Sequence, residues 1–99
     1  MPDVTSLSDL DATPHATVFE RDPRTVRLDL AAGESVAEHS HPGTSVLVHV
    51  LVGRLTATVD GEDYDLAAGD VLRFSGDRSI QPTAETATTA LVVLAPADG

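Results

Sequence analysis

The chain has 99 residues and no cysteine, and its net charge of −10 arises from 16 acidic residues against six arginines and no lysine. This length suffices for one domain with one hydrophobic core, so any site lies within that core or between subunits. The absence of cysteine excludes disulfides, thiolate nucleophiles and thiolate metal ligands. The negative charge repels phosphate backbones and anionic lipids, which argues against nucleic-acid and membrane partners.

The lack of lysine and the excess of aspartate resemble the composition of proteins from halophilic archaea. In molar salt the Debye length is about 3 Å, so such a charge serves solubility rather than long-range attraction. An acidic surface also suits a basic partner, which stays open as an alternative. No segment approaches the roughly 18 apolar residues of a membrane span, and the N-terminus lacks a targeting pattern. A soluble, cytoplasmic protein is therefore expected.

The first segment, residues 1–13, is polar and unpatterned, with Leu7 and Leu10 as its apolar anchors. Such a terminus is ordered only where it packs on something else. We expect an N-terminal arm available to pack on a neighbouring chain, followed by a single domain over residues 14–99.

The remainder shows β-branched runs separated by Gly, Pro and Asp, and it has no apolar stripe of helical period. This pattern predicts an all-β protein of eight short strands, arranged as a closed barrel or jelly roll. In chain order the strands are expected at residues 16–20, 25–30, a short strand ending at His39, 45–52, 55–60, 62–67, 71–74 and 89–95.

Two turns and one interface follow from local chemistry. Asp60-Gly61 tolerates the positive φ angles of a two-residue hairpin, so the strands on either side should pair. Gly53 interrupts an apolar run and predicts a bulge or a sharp bend. The run at residues 45–52 is apolar on both faces. A second subunit would cover the outer face, which predicts a homodimer.

The candidate site begins with His39 and His41, which lie two residues apart. Residues at this spacing in a strand face the same side, so both imidazoles can enter one space. The surrounding pattern of Gly33, His39, His41 and Gly53 resembles the first motif of the cupin family, and Gly69-Asp70-Val71 resembles the start of its second motif. The resemblance implies a cupin-type β-barrel, a jelly roll also known as a double-stranded β-helix.

The resemblance also implies where a metal would bind. Metal-dependent cupins hold a divalent ion with three histidines and a glutamate, and only His39 and His41 carry over to this chain. Val46 stands at the glutamate position and Ile80 at that of the last histidine. A catalytic metal site usually has about three protein ligands, so two imidazoles predict at most a loosely held Zn²⁺, Ni²⁺, Fe²⁺ or Mn²⁺.

A third ligand has two candidates in the sequence, His49 and the His15 of a partner. Strand alternation turns His49 away from the cavity, which Val46, Val48 and Ile80 are expected to line. Arg54 and Arg73 are candidates for holding a carboxylate or phosphate on a ligand.

Cupins include metal enzymes, metal-free epimerases, storage proteins and ligand-sensing domains of regulators, and fold alone does not choose among them. The aliphatic substitutions favour a stand-alone protein that binds a small, partly apolar ligand or a loosely held metal. One alternative is a divalent-metal isomerase, decarboxylase or dioxygenase acting on a small organic substrate. A second is a structural dimer with a vestigial pocket.

Overall fold

The computed structural model describes residues 2–97, and eight antiparallel strands account for most of them. One short 3₁₀ turn, Leu7–Asp9, precedes the strands. The strands are β1 His15–Phe19, β2 Arg24–Leu30, β3 Thr44–Val52, β4 Arg54–Val59, β5 Glu62–Ala67, β6 Val71–Ser75, β7 Ile80–Ala84 and β8 Thr88–Pro96. No helix within residues 2–97 is long and apolar enough to cross a membrane.

The strands form two sheets that face each other across one core. The larger sheet has the order β1-β2-β8-β3-β6, and the smaller has the order β5-β4-β7. Inward-facing aliphatic side chains alternate with outward-facing ones along the central strands, as a two-sheet sandwich requires. The predicted all-β jelly roll is confirmed. Leu30, Val50, Ala84 and Ala90 are core residues that are each at most 1% exposed.

Seven of the predicted strands are present with small shifts at their ends, and the eighth lies elsewhere in the chain. The segment ending at His39 makes only two isolated bridges, Ser35 to Thr83 and His39 to Ile80. The strand that it bridges, β7, was not predicted. Pro82 stands at its centre and argues against a strand in the sequence, yet β7 pairs with β4 throughout. Proline is tolerated because only isolated bridges join β7 to the neighbouring segment, so the missing N–H of Pro82 interrupts no continuous ladder.

Both predicted turns are present. Val59 pairs with Glu62 across Asp60-Gly61, and both turn residues have positive φ angles of 49° and 80°. Gly53 has a φ of 90° and lies where the chain leaves the larger sheet in β3 and enters the smaller in β4. A Cβ at this position would overlap the carbonyl oxygen of Ala87. Glycine is therefore required twice over, by conformation and by space.

The N-terminal segment packs on its own chain rather than only being available to a neighbour. The Arg27 guanidinium, on the outer side of β2, donates hydrogen bonds to the carbonyl oxygens of Leu7, Leu10 and Ala12, at 2.8, 3.1 and 3.1 Å. The arm leaves Arg27 only 8% exposed. Buried charge is tolerated here because three carbonyl dipoles replace the lost water.

The outer face of β3 is the surface on which the homodimer prediction rests. Val46, Val48 and Val50 point inward and are buried, whereas Leu47 and His49 on the opposite face are only half-buried. Val93 and Leu91 of β8 lie directly beside them on that face. Within residues 2–97 the arm covers only the β1 and β2 side of this sheet, so the homodimer stays a prediction.

A charge on this face tests the dimer. We expect Leu47→Glu to convert a dimer to a monomer, because two buried carboxylates would face each other without partners. Light scattering in high salt measures the mass. The matched control is Gln81→Glu, which adds the same charge to the outer side of the smaller sheet and should leave the mass unchanged. A monomeric wild-type protein would contradict the prediction.

Candidate functional site

A cavity of about 460 Å³ lies between the two sheets. This volume lies in the range of small-molecule sites, roughly 300–1,000 Å³. The interior is apolar and mostly aliphatic, with walls from both sheets. The lining side chains of the interior are Val26, Leu28, Val46, Val48, Leu55, Ala57, Ile80, Pro82, Val92, Leu94 and the half-buried Phe74.

Backbone hydrogen bonds to β7 place the two predicted histidines at this cavity. The His39 amide donates to the Ile80 carbonyl at 3.1 Å, and the Ile80 amide donates back to the His39 carbonyl at 2.8 Å. The His41 amide donates to the carbonyl of Gly76 at 2.7 Å. A Cβ at Gly76 would overlap the His41 carbonyl oxygen, so only glycine allows this approach.

The imidazoles of His39 and His41 lie edge to face, with ring centroids 4.8 Å apart. Nδ1 of His39 lies 2.8 Å from the Ala37 carbonyl oxygen. A carbonyl only accepts, so Nδ1 carries the proton and the neutral ring has its lone pair on Nε2. This tautomer leaves one nitrogen of His39 able to accept a hydrogen bond or to coordinate a metal.

The structure brings most of the predicted site residues together. Val46, Val48 and Ile80 line the same cavity as the two histidines. His49 lies outside it, because it alternates with Val48 along β3 and therefore faces the outer side. Within residues 2–97, no three His, Cys, Asp or Glu side chains are grouped closely enough to hold a metal ion.

Two further lining residues, His15 and Arg24, carry the chemistry that sequence reasoning missed. The sequence predicts His15 as an exposed histidine at the start of the first strand, or as a ligand reaching another subunit. It is exposed at the start of β1, and it lines the cavity of its own chain. Arg24 lines it too, whereas Arg54 and Arg73, the predicted anion anchors, do not. The signal was present in β2, where Arg24 shares the alternating inward face with Val26 and Leu28.

The charges around the opening disfavour protonated histidine. The pKa of His41 is lowered, first by burial and then by the positive charges of His39, Arg24 and His15. The pKa of His15 is lowered by burial and by His39. No carboxylate within residues 2–97 counters these effects at His41. Both imidazoles are therefore neutral at pH 7, available as donors and acceptors.

Comparison with known proteins agrees with this architecture. A family model described as a cupin domain matches residues 26–95. The chain belongs to the cupin family. A search of curated protein sequences finds no significant match.

Solved structures resemble most of the chain. A cupin protein from Bacteroides fragilis is 24% identical with a TM-score of 0.83, over 98% of this chain and 86% of that one. A predicted oxalate decarboxylase from Thermotoga maritima is 28% identical with a TM-score of 0.68, over 75% of this chain and 66% of that one. The cupin domain of an XRE-family transcriptional regulator from Enterobacter cloacae is 21% identical with a TM-score of 0.73, over 83% of this chain and 94% of that one.

The metal set that the family resemblance implies does not fit the residues present. Val46 and Ile80, at the positions of the glutamate and a histidine, are 2% and 5% exposed and line the cavity with methyl groups. They provide neither a lone pair nor a negative charge to offset a dication. His39 and His41 remain, and two imidazoles make a weak site.

The pKa values of the cavity histidines are testable by NMR. We expect His39→Gln to raise the pKa of both His15 and His41, because it removes a positive charge that lowers each of them. The control His49→Gln, on the outer face, should change neither. Imidazole proton and nitrogen shifts followed against pH measure both values. Unchanged pKa values in His39→Gln would contradict the geometry of the opening.

The same shifts set the direction of a pH effect on stability. Because both pKa values are lowered in the folded state, the unfolded chain binds more protons below the ordinary value of 6.5. The free energy of unfolding therefore falls as the pH decreases through that value, and it is fully retained above it. Denaturant unfolding at several pH values should show a smaller fall in His39→Gln than in the wild type.

Proposed function

We propose that this cupin binds a small, partly apolar ligand in its cavity without turning it over, and that it holds a divalent metal only loosely. The observation that carries this proposal is the aliphatic interior. Two of the four positions at which metal-dependent cupins have ligands are occupied by Val46 and Ile80, which line the cavity. Apolar burial drives binding in such a cavity, at about 25 cal/mol per Å² of surface removed from water.

A ligand-binding role agrees with the stable frame around the cavity. The lining strands are anchored in two paired sheets, and the histidine segment is tied to β7 by backbone hydrogen bonds. A preformed cavity binds without the cost of ordering its walls. The similarity to a regulator's cupin domain concerns the fold alone, but it shows that such a barrel also occurs as part of a regulatory protein.

The alternative function is a divalent-metal enzyme. Two observations favour it, namely the free Nε2 of His39 beside His41 and the 28% identity to a predicted oxalate decarboxylase. It ranks second because the cavity provides no carboxylate or third histidine grouped with these two rings in residues 2–97. The remaining reading, a structural dimer with a vestigial pocket, predicts no specific ligand.

Metal content separates the first two functions. We expect tag-free protein purified without chelator to contain well under one equivalent of Zn, Ni, Fe or Mn per chain by elemental analysis. The double variant His39→Ala/His41→Ala should fold. Its metal content should differ from that of the wild type by no more than this small amount. One equivalent of metal in the wild type, lost in the double variant, would contradict the proposal and establish the metal enzyme as the better account.

A further inference from the structure

The polar residues of the cavity all lie at its opening. His15 and Thr17 of β1 and Arg24 at the start of β2 form one side, and Glu38, His39 and His41 form the other. All six are exposed or half-buried, whereas the interior aliphatic side chains are mostly buried. The cavity is therefore apolar inside and polar at its mouth, a division that suits a ligand with one apolar end and one polar end.

The charge at the opening is unusual for this chain. The whole protein carries −10, yet Arg24 at the opening makes no ion pair or side-chain hydrogen bond with any residue from 2 to 97. Among residues 2–97, Glu38 is the single carboxylate that lines the cavity, and the imidazoles of His15, His39 and His41 line it too. The positive charge of Arg24 instead helps to lower the pKa of His41, after the larger effects of burial and of His39.

We propose that the ligand is an amphipathic monocarboxylate, with its carboxylate bound by Arg24 at the opening and its hydrocarbon body against the aliphatic interior. This inference rests on the proposed binding function and specifies its ligand class. A guanidinium presents a planar pair of N–H donors that matches the two oxygens of a carboxylate, and such charge-assisted hydrogen bonds are about twice as strong as neutral ones.

The neighbouring imidazoles support the same orientation. A neutral His41 or His15 can donate one ring N–H to a carboxylate oxygen without adding a second cation to the opening. Nδ1 of His39 is already bonded to Ala37, so its Nε2 is an acceptor and does not compete for the ligand oxygens. The interior, in contrast, is lined by no charged side chain from residues 2–97 that would favour the carboxylate at the deep end.

Paired probes of equal length test the ligand class. Hexanoate and hexan-1-ol share a hydrocarbon body and differ in charge, and calorimetry compares their affinities. The measurement is made with EDTA in about 1 M KCl, where the Debye length of about 3 Å removes long-range repulsion. We expect hexanoate to bind about tenfold more tightly than hexan-1-ol, the effect of one charge-assisted hydrogen-bonded contact.

Variants of two arginines assign the contact. Arg24→Gln should remove the preference for hexanoate while leaving hexan-1-ol binding unchanged. Arg24→Lys, which keeps the charge but loses the planar pair of donors, should retain part of it. The matched control is Arg54→Gln, because Arg54 does not line the cavity and its side chain makes no bond within residues 2–97. Circular dichroism verifies that each variant is folded.

The outcomes separate this inference from the proposed function. Equal affinities of both probes for the wild type would overturn the carboxylate inference and leave apolar binding standing. A preference that survives in Arg24→Gln would overturn the role of Arg24. A preference seen only without EDTA would assign the carboxylate to a bound metal and overturn the inference too. Binding of neither probe would contradict the proposed function itself.

Discussion

The site depends on the backbone hydrogen bonds that tie residues 33–41 to β7. Four of them join Gly33 to Ala84, Ala84 to Glu34, Val36 to Pro82 and His39 to Ile80, and a fifth returns from Ile80 to His39. The segment is too irregular to be a strand, yet these bonds close the edge of the smaller sheet. They fix the backbone that places His39 and His41 at the cavity.

The chemistry of the cavity follows from what this arrangement leaves inside. Aliphatic side chains from both sheets meet around a space that they do not fill, and the polar groups are confined to the opening where water solvates them. A dication moved inside would lose water and gain two imidazoles without a carboxylate, which is a poor exchange in an apolar medium. A hydrocarbon chain gains from the same surroundings. The same physical fact therefore disfavours metal and favours an apolar ligand.

The proposed selectivity rests on the groups at the opening. His15, His39 and His41 line the same cavity as Arg24. The pKa values of His15 and His41 are lowered, first by burial and then by neighbouring positive charges. In this proposal a ligand carboxylate adds negative charge beside Arg24, which makes no ion pair with Glu38 or any other carboxylate in residues 2–97. The outer surface of the protein provides no such attraction, since its acidic residues greatly outnumber the arginines.

The sequence predicts the frame of this site better than its opening. Period-2 alternation, the Asp60-Gly61 turn and the bend at Gly53 are local signals, and each is borne out. β7 was not predicted because proline at position 82 argues against a strand. Pairing with β4, which the sequence does not reveal, stabilises the strand nevertheless. His15 is separated from His39 by 24 residues, and only the closure of the two sheets brings both to one cavity. Such long-range proximity has no signature in one sequence.

The role of Arg24 also could not be predicted from the sequence alone. Its inward direction is readable from alternation with Val26 and Leu28, but an arginine at a strand end is ordinarily solvated. Its significance appears only once the first residue of β2 is known to line the cavity.

The central claim, that this cavity receives an organic ligand, has one direct test. Ile80 is the only isoleucine in the chain and lies on the cavity wall, so protein labelled with ¹³C at the isoleucine δ1 methyl gives a single signal from the site. Titration with hexanoate should move this signal along a saturable curve. A signal that stays in place in folded protein, up to concentrations at which the probe is saturating in calorimetry, would contradict the account.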